Sequence, residues 1–125
     1  MIGNDVIDLR DPETFTEHPR FDERVFAPAE RELLAAAGDA RRLRWILWAA
    51  KESAYKLARK LDARAVFSPP RFVVDPTAGE VAFGGRRFAL EIHADDDRIH
   101  AVVTTGGGAI RTGAALAGAA APGVA

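Results

Sequence analysis

From Arg41 to Leu61 the chain reads RRLRWILWAAKESAYKLARKL, with no proline or glycine to interrupt it. That run constrains the fold more than any other feature. Asp39 stands where a helix N-cap is wanted, and Leu43, Leu47, Ala50, Ala54, Leu57 and Leu61 recur at spacings of four and three, so one long amphipathic helix is predicted with that seam buried. At ~100° per residue Glu52 falls nearly opposite the seam, with Trp48 and Lys56 one turn on either side. An acid and a lysine therefore share a face away from the main core stripe. Trp48 and Tyr55 are expected to pack on this helix.

A helix of this length needs a surface to lie on, and the sequence supplies short β-type segments. Residues 2 to 9 alternate loosely between Ile2, Val6, Ile7, Leu9 and the polar Asn4, Asp5, Asp8, which suits a short strand with Asp5 at or just after it. Beyond the helix, VFSPPRFVVD, EVAF, RRFALEIH and RIHAVVTT are rich in β-branched and aromatic residues and are separated by turn formers, predicting three or four antiparallel strands. RDPETFTEHPRF reads as a loop holding at most one helical turn. FAPAERELLAAAGD reads as a helix with Pro28 at its first position and Gly38 as its C-terminal cap. The expected architecture is α+β, a long central helix packed on a small antiparallel sheet, forming one domain over residues 1–105. Residues 106–125, almost wholly Gly and Ala, are expected to be a flexible tail.

Composition closes off several functions. The chain has 125 residues, no cysteine and a formal charge of -1, so disulfides, thiolate metal sites and cysteine nucleophiles are excluded. Nothing in the charge balance recruits nucleic acid or an anionic membrane. The acids in MIGNDVIDLRD do not suit a signal peptide and no apolar run approaches a membrane span, so a cytoplasmic protein is expected.

Taken singly, Glu52 and Lys56 are an i,i+4 pair of ~0.3–0.5 kcal/mol, and Asp5 is an ordinary turn residue. Together they form the inventory that a hard divalent cation on a phosphate substrate requires: one or two carboxylates, with a lysine for the remaining phosphate charge. Residue chemistry alone leads to phosphoryl transfer among other options, without a substrate.

The pairing of Gly3-Asn4-Asp5 with Trp48-x-x-Lys51-Glu52-Ser53-x-x-Lys56 resembles the signature of the 4'-phosphopantetheinyl transferase superfamily, of the holo-acyl-carrier-protein synthase type. RVFAPAERELL, Arg24 to Leu34, likewise resembles a family segment R-x-F-x-x-x-E between the two motifs. The resemblance covers about residues 1 to 75. It implies transfer of the 4'-phosphopantetheine arm of coenzyme A to a serine of an acyl or peptidyl carrier protein, with release of adenosine 3',5'-bisphosphate. Asp5 and Glu52 would hold Mg²⁺, Lys56 would stabilise phosphate charge, and Lys51 would contact phosphate less directly. A metal-bound water or Glu52 would take the serine proton. Arg20, Phe21, Arg24 and Phe26 would dock the carrier protein, in fatty acid, polyketide or peptide synthesis.

Two departures accompany the resemblance. The S-x-S-H motif of many relatives is missing, leaving His93 as the nearest candidate to approach coenzyme A and His100 as the next. Ile7 stands where some relatives have a second acid. A degenerate member that binds a carrier protein or coenzyme A without transfer is the alternative that these departures favour. Short family members assemble, so a homo-oligomer is also implied.

Overall fold

A computed structural model describes residues 1–18 and 20–105 of the chain. The expected tail over 106–125 lies outside the described residues. Five strands form one antiparallel sheet: β1 (Ile2–Asp8), β2 (Val73–Asp75), β3 (Glu80–Phe83), β4 (Arg86–Ala94) and β5 (Arg98–Thr104), in the order β1-β5-β4-β3-β2. Three helices precede β2: α1 (Phe21–Val25), α2 (Pro28–Ala36) and α3 (Ala40–Leu61). The α+β architecture expected from the sequence is the one observed.

α3 forms as its sequence dictates. The Asp39 carboxylate accepts the Arg42 amide at 3.0 Å, satisfying one of the unpaired N–H groups of the first turn. Leu43, Leu47, Ala50, Ala54 and Leu57 are fully buried, and they meet the inward residues Phe88, Leu90 and Ile92 of β4 and Ile99, Ala101 and Val103 of β5 in one core cluster. Burial of each large side chain in that seam contributes roughly 1.5–3 kcal/mol.

Short connections set the sheet. Gly84 and Gly85 take positive φ values of 54° and 78° and turn β3 into β4, as a two-residue hairpin loop requires. The β4–β5 register places Ile92 opposite Ala101 and His93 opposite His100. Register alternation then puts Phe88, Leu90 and Ile92 on the helix side and Glu91 and His93 on the other. That second face carries half-buried and exposed side chains, including Val6, 53% exposed.

Three local expectations are corrected. Pro69-Pro70-Arg71 forms a single 3-10 turn, so only Val73–Asp75 of VFSPPRFVVD pairs as strand; consecutive prolines cannot donate to a ladder. α2 ends at Ala37 in extended conformation, and Gly38 is absent from the positive-φ glycines, so it does not form a left-handed cap. Asp5 lies inside β1, paired with Ala101. No described helix is long and apolar enough to cross a membrane.

Candidate functional site

β1 runs antiparallel along α3. Its odd residues face the helix: Gly3 is buried and Asp5 and Ile7 are half-buried, whereas Ile2, Asn4, Val6 and Asp8 are exposed. Asp5 thus meets the part of α3 that carries Glu52 and Lys56, 47 and 51 positions away in sequence. Lys56 Nζ donates to Asp5 Oδ1 at 3.0 Å and to the Asn4 carbonyl oxygen at 3.0 Å. Burial raises the pKa of Glu52 first, the Asp5 charge raises it further, and Lys56 acts in the opposite sense. The three residues singled out in the sequence come together at one seam between strand and helix.

The donor set has a definite chemical character. Two carboxylates on facing elements repel one another, and a divalent cation would relieve that repulsion; both offer oxygen alone, the donor preferred by Mg²⁺. Among the described residues no group of three or more His, Cys, Asp or Glu forms a metal cluster. Ile7, half-buried on the same side of β1, adds no oxygen. The residues present fit a cation held by two carboxylates, with water or substrate oxygens completing its shell.

Lys51 departs from the phosphate-contact expectation. Its side chain is wholly buried and pairs with the equally buried Glu30 at 2.7 Å. The remaining ammonium donors go to the carbonyl oxygens of Pro69 and Phe72, at 2.9 and 2.5 Å. Glu30 in turn accepts the amides of Ala27 and Val74, each at 2.8 Å. Desolvation is the main reason the Lys51 pKa is lowered, and Glu30 opposes it. All three Lys51 donors are used inside the protein, so the pair joins α2, α3 and the approach to β2 and leaves no N–H for a substrate. A signal existed for this: Lys51 is four residues after Leu47 and three before Ala54, on the buried seam itself.

The proposed docking residues divide. Arg20 and Arg24 are exposed, and among the described residues the Arg20 guanidinium makes only a long contact of 3.9 Å, with Glu23. Phe26 is 1% exposed, with its ring 6.0 Å from that of Phe21 and 5.6 Å from Lys51 Nζ. It belongs to the core and cannot present a docking surface, because a large apolar ring is more stable out of water. Arg20 and Phe21 also border a cavity of about 510 Å³ with Phe15, Arg41, Arg44 and Trp45. Arg41 and Trp45 share the helix stripe of Glu52 at multiples of ~100°, so this cavity lies along the same side of α3. Arg44 is held there by Asp22 through two bonds of 2.9 and 3.1 Å.

Trp48 and Tyr55 pack as expected. Both lie against Phe67, with ring centroids 5.5 and 4.9 Å away. His93 is the other departure. It bonds to Glu91 on the sheet face opposite α3, so within one chain the sheet separates it from Asp5 and Glu52. His100 shares that face, 6.3 Å from His93 between ring centroids.

Comparison with known proteins gives one family and one fold. A family model described as the 4'-phosphopantetheinyl transferase superfamily matches residues 1–105. A solved apo-ACPS structure from Chronobacterium ammoiniagenes shares the fold with a TM-score of 0.65 at 21% sequence identity, over 82% of this chain and 93% of that one. No curated protein is significantly similar to the chain in sequence.

Proposed function

This chain belongs to the 4'-phosphopantetheinyl transferase superfamily, and from that premise we propose that it moves the 4'-phosphopantetheine arm of coenzyme A onto a serine of an acyl or peptidyl carrier protein. The observation that carries the reading is the convergence of Asp5, Glu52 and Lys56 from two distant segments. Asp5 and Glu52 would hold Mg²⁺, which supplies charge neutralisation for the coenzyme A pyrophosphate.

In this reading the serine Oγ attacks the phosphorus that bears the pantetheine arm. The P–O bond to the bridging oxygen breaks, and adenosine 3',5'-bisphosphate leaves with the electron pair. Lys56 stabilises that developing negative charge. The serine proton passes to a base at this site, either Glu52 or a water beside it. Arg20 and Arg24 steer an acidic helix of the carrier protein towards the cavity beside Trp45.

The reading includes a homo-oligomer. Its support is the open sheet face, where Ile2 and Val6 are 47% and 53% exposed, and the placement of His93 on that face. His93 would meet coenzyme A only at the site of another copy. Binding without transfer is the second reading, favoured by the separation of His93 from the carboxylates within the chain.

Release of adenosine 3',5'-bisphosphate in the presence of apo carrier protein tests the proposal. Asp5→Ala and Glu52→Ala should abolish release while the helical circular dichroism persists. Wild-type rates in both variants would overturn the metal assignment.

A further inference from the structure

Gly3 lies two residues from Asp5 on the same side of β1, at a very close approach of strand to helix. A Cβ at this position would stand 2.2 Å from the Ser53 carbonyl oxygen and 2.9 Å from the Leu57 amide nitrogen. Both are backbone atoms, so no rotamer change relieves the contact. Ser53 and Leu57 bracket the turn of α3 that carries Lys56 and follows Glu52. Any side chain at residue 3 would push Asp5 away from that turn.

Register along the helix has its own device. Met1 O accepts Thr105 N and Leu9 N donates to Asp97 O, so the odd residues of β1 exchange bonds with β5 and the even ones point their backbone groups outward. β1 is an edge strand. On that outer edge Lys56 takes the Asn4 carbonyl and Lys60, one turn on, takes the Ile2 carbonyl at 2.5 Å. The Lys60 ammonium has no other hydrogen bond among the described residues and is exposed, yet it ties the strand to the helix at Ile2, two residues before Asn4.

We propose that Gly3 and Lys60 are positioning residues: Gly3 fixes the separation of β1 from α3, and Lys60 fixes its register, so that Asp5 faces Glu52 at the spacing a divalent cation needs. The inference rests on the assignment of Asp5 and Glu52 as the metal carboxylates. It adds that the chain tunes its metal affinity through the strand-helix contact. Losses of supporting interactions around metal ligands typically weaken binding by ~10–100-fold.

The test is calorimetric titration of the full chain with Mg²⁺ alone, comparing wild type with Asp5→Ala, Gly3→Ala, Lys60→Met and Val103→Ala. Gly3→Ala should weaken Mg²⁺ binding at least about tenfold. Lys60→Met should weaken it by roughly threefold, the smaller effect of one exposed bond. Charge alone predicts the opposite sign, since removing a cation near two carboxylates tightens Mg²⁺ binding. Val103, buried opposite Gly3, is the control: its truncation lowers stability and leaves the affinity unchanged.

Unchanged affinity in a folded Gly3→Ala, or tighter binding in Lys60→Met, overturns the proposal. If Gly3→Ala does not fold, Lys60→Met decides alone, because its substitution on an exposed helix surface preserves the fold. Wild-type binding that Asp5→Ala leaves intact would instead overturn the metal assignment and this inference with it.

Discussion

Replacing Lys51 with Met separates a structural role from a phosphate-binding one. The substitution keeps the length and apolar stem of the side chain but leaves the Glu30 carboxylate fully buried without its cation. Breaking one side of a buried ion pair costs about 3–5 kcal/mol. Unfolding entropy of ~2.1 cal/mol/K per residue, over a domain of roughly 105 residues, converts that loss to a Tm drop of ~14–23 °C. The double variant Glu30→Gln with Lys51→Met should recover at least about 1.5 kcal/mol, because the uncompensated charge is gone and an amide oxygen still accepts a backbone N–H. Differential scanning calorimetry measures the stabilities. Transfer kinetics at a temperature where every variant is folded should show a coenzyme A KM within a few-fold of wild type. An unchanged Tm together with a KM raised tenfold or more would refute the reasoning and return Lys51 to the phosphates.

Other expectations follow from the same geometry. Glu52→Gln should raise the Tm of the protein in chelator at neutral pH while abolishing transfer. The folded-state pKa of Glu52 lies above its ordinary 4.5, so the folded chain binds a proton that the unfolded chain releases, and ionised Glu52 destabilises the fold once pH rises through that window. The Tm advantage of the Gln variant should therefore shrink as pH falls towards 4.5, and its persistence below that pH would contradict the assignment. Phe26→Ala should cost about 3–5 kcal/mol in chemical denaturation, as truncation of a core aromatic does, with carrier affinity lost only in proportion to unfolding. Arg20→Glu with Arg24→Glu should do the reverse, raising the carrier KM at least tenfold in steady-state assays with stability within about 0.5 kcal/mol of wild type.

Much of the fold is legible because its signals are local. Asp39, the unbroken run to Leu61 and the alternation in RRFALEIH each specify an element without reference to the rest of the chain. Asp5, Glu52 and Lys56 are legible for a different reason: the helix period aligns two of them, and the motif spacing supplies the third. What escaped depends on long-range pairing. Lys51 and Glu30 look like surface charges until packing encloses both, although Lys51 sits on the apolar seam. Phe26 resembles a docking aromatic because one residue cannot reveal which way its ring turns. The alternation in RRFALEIH puts His93 opposite Phe88, Leu90 and Ile92, but the strand alone does not show that α3, with Glu52, covers the side of those apolar residues. The close approach at Gly3 is likewise invisible until β1 is laid on α3.

Intact mass spectrometry of an apo acyl carrier protein, incubated with this protein, coenzyme A and Mg²⁺, with and without chelator, addresses the central claim most directly. The account predicts a mass increase of one phosphopantetheine arm on the carrier serine, lost when chelator is present and lost in Asp5→Ala. Carrier proteins of fatty acid, polyketide and peptide synthesis that all stay unmodified, while coenzyme A still binds, would contradict transfer and leave the chain as a binding protein.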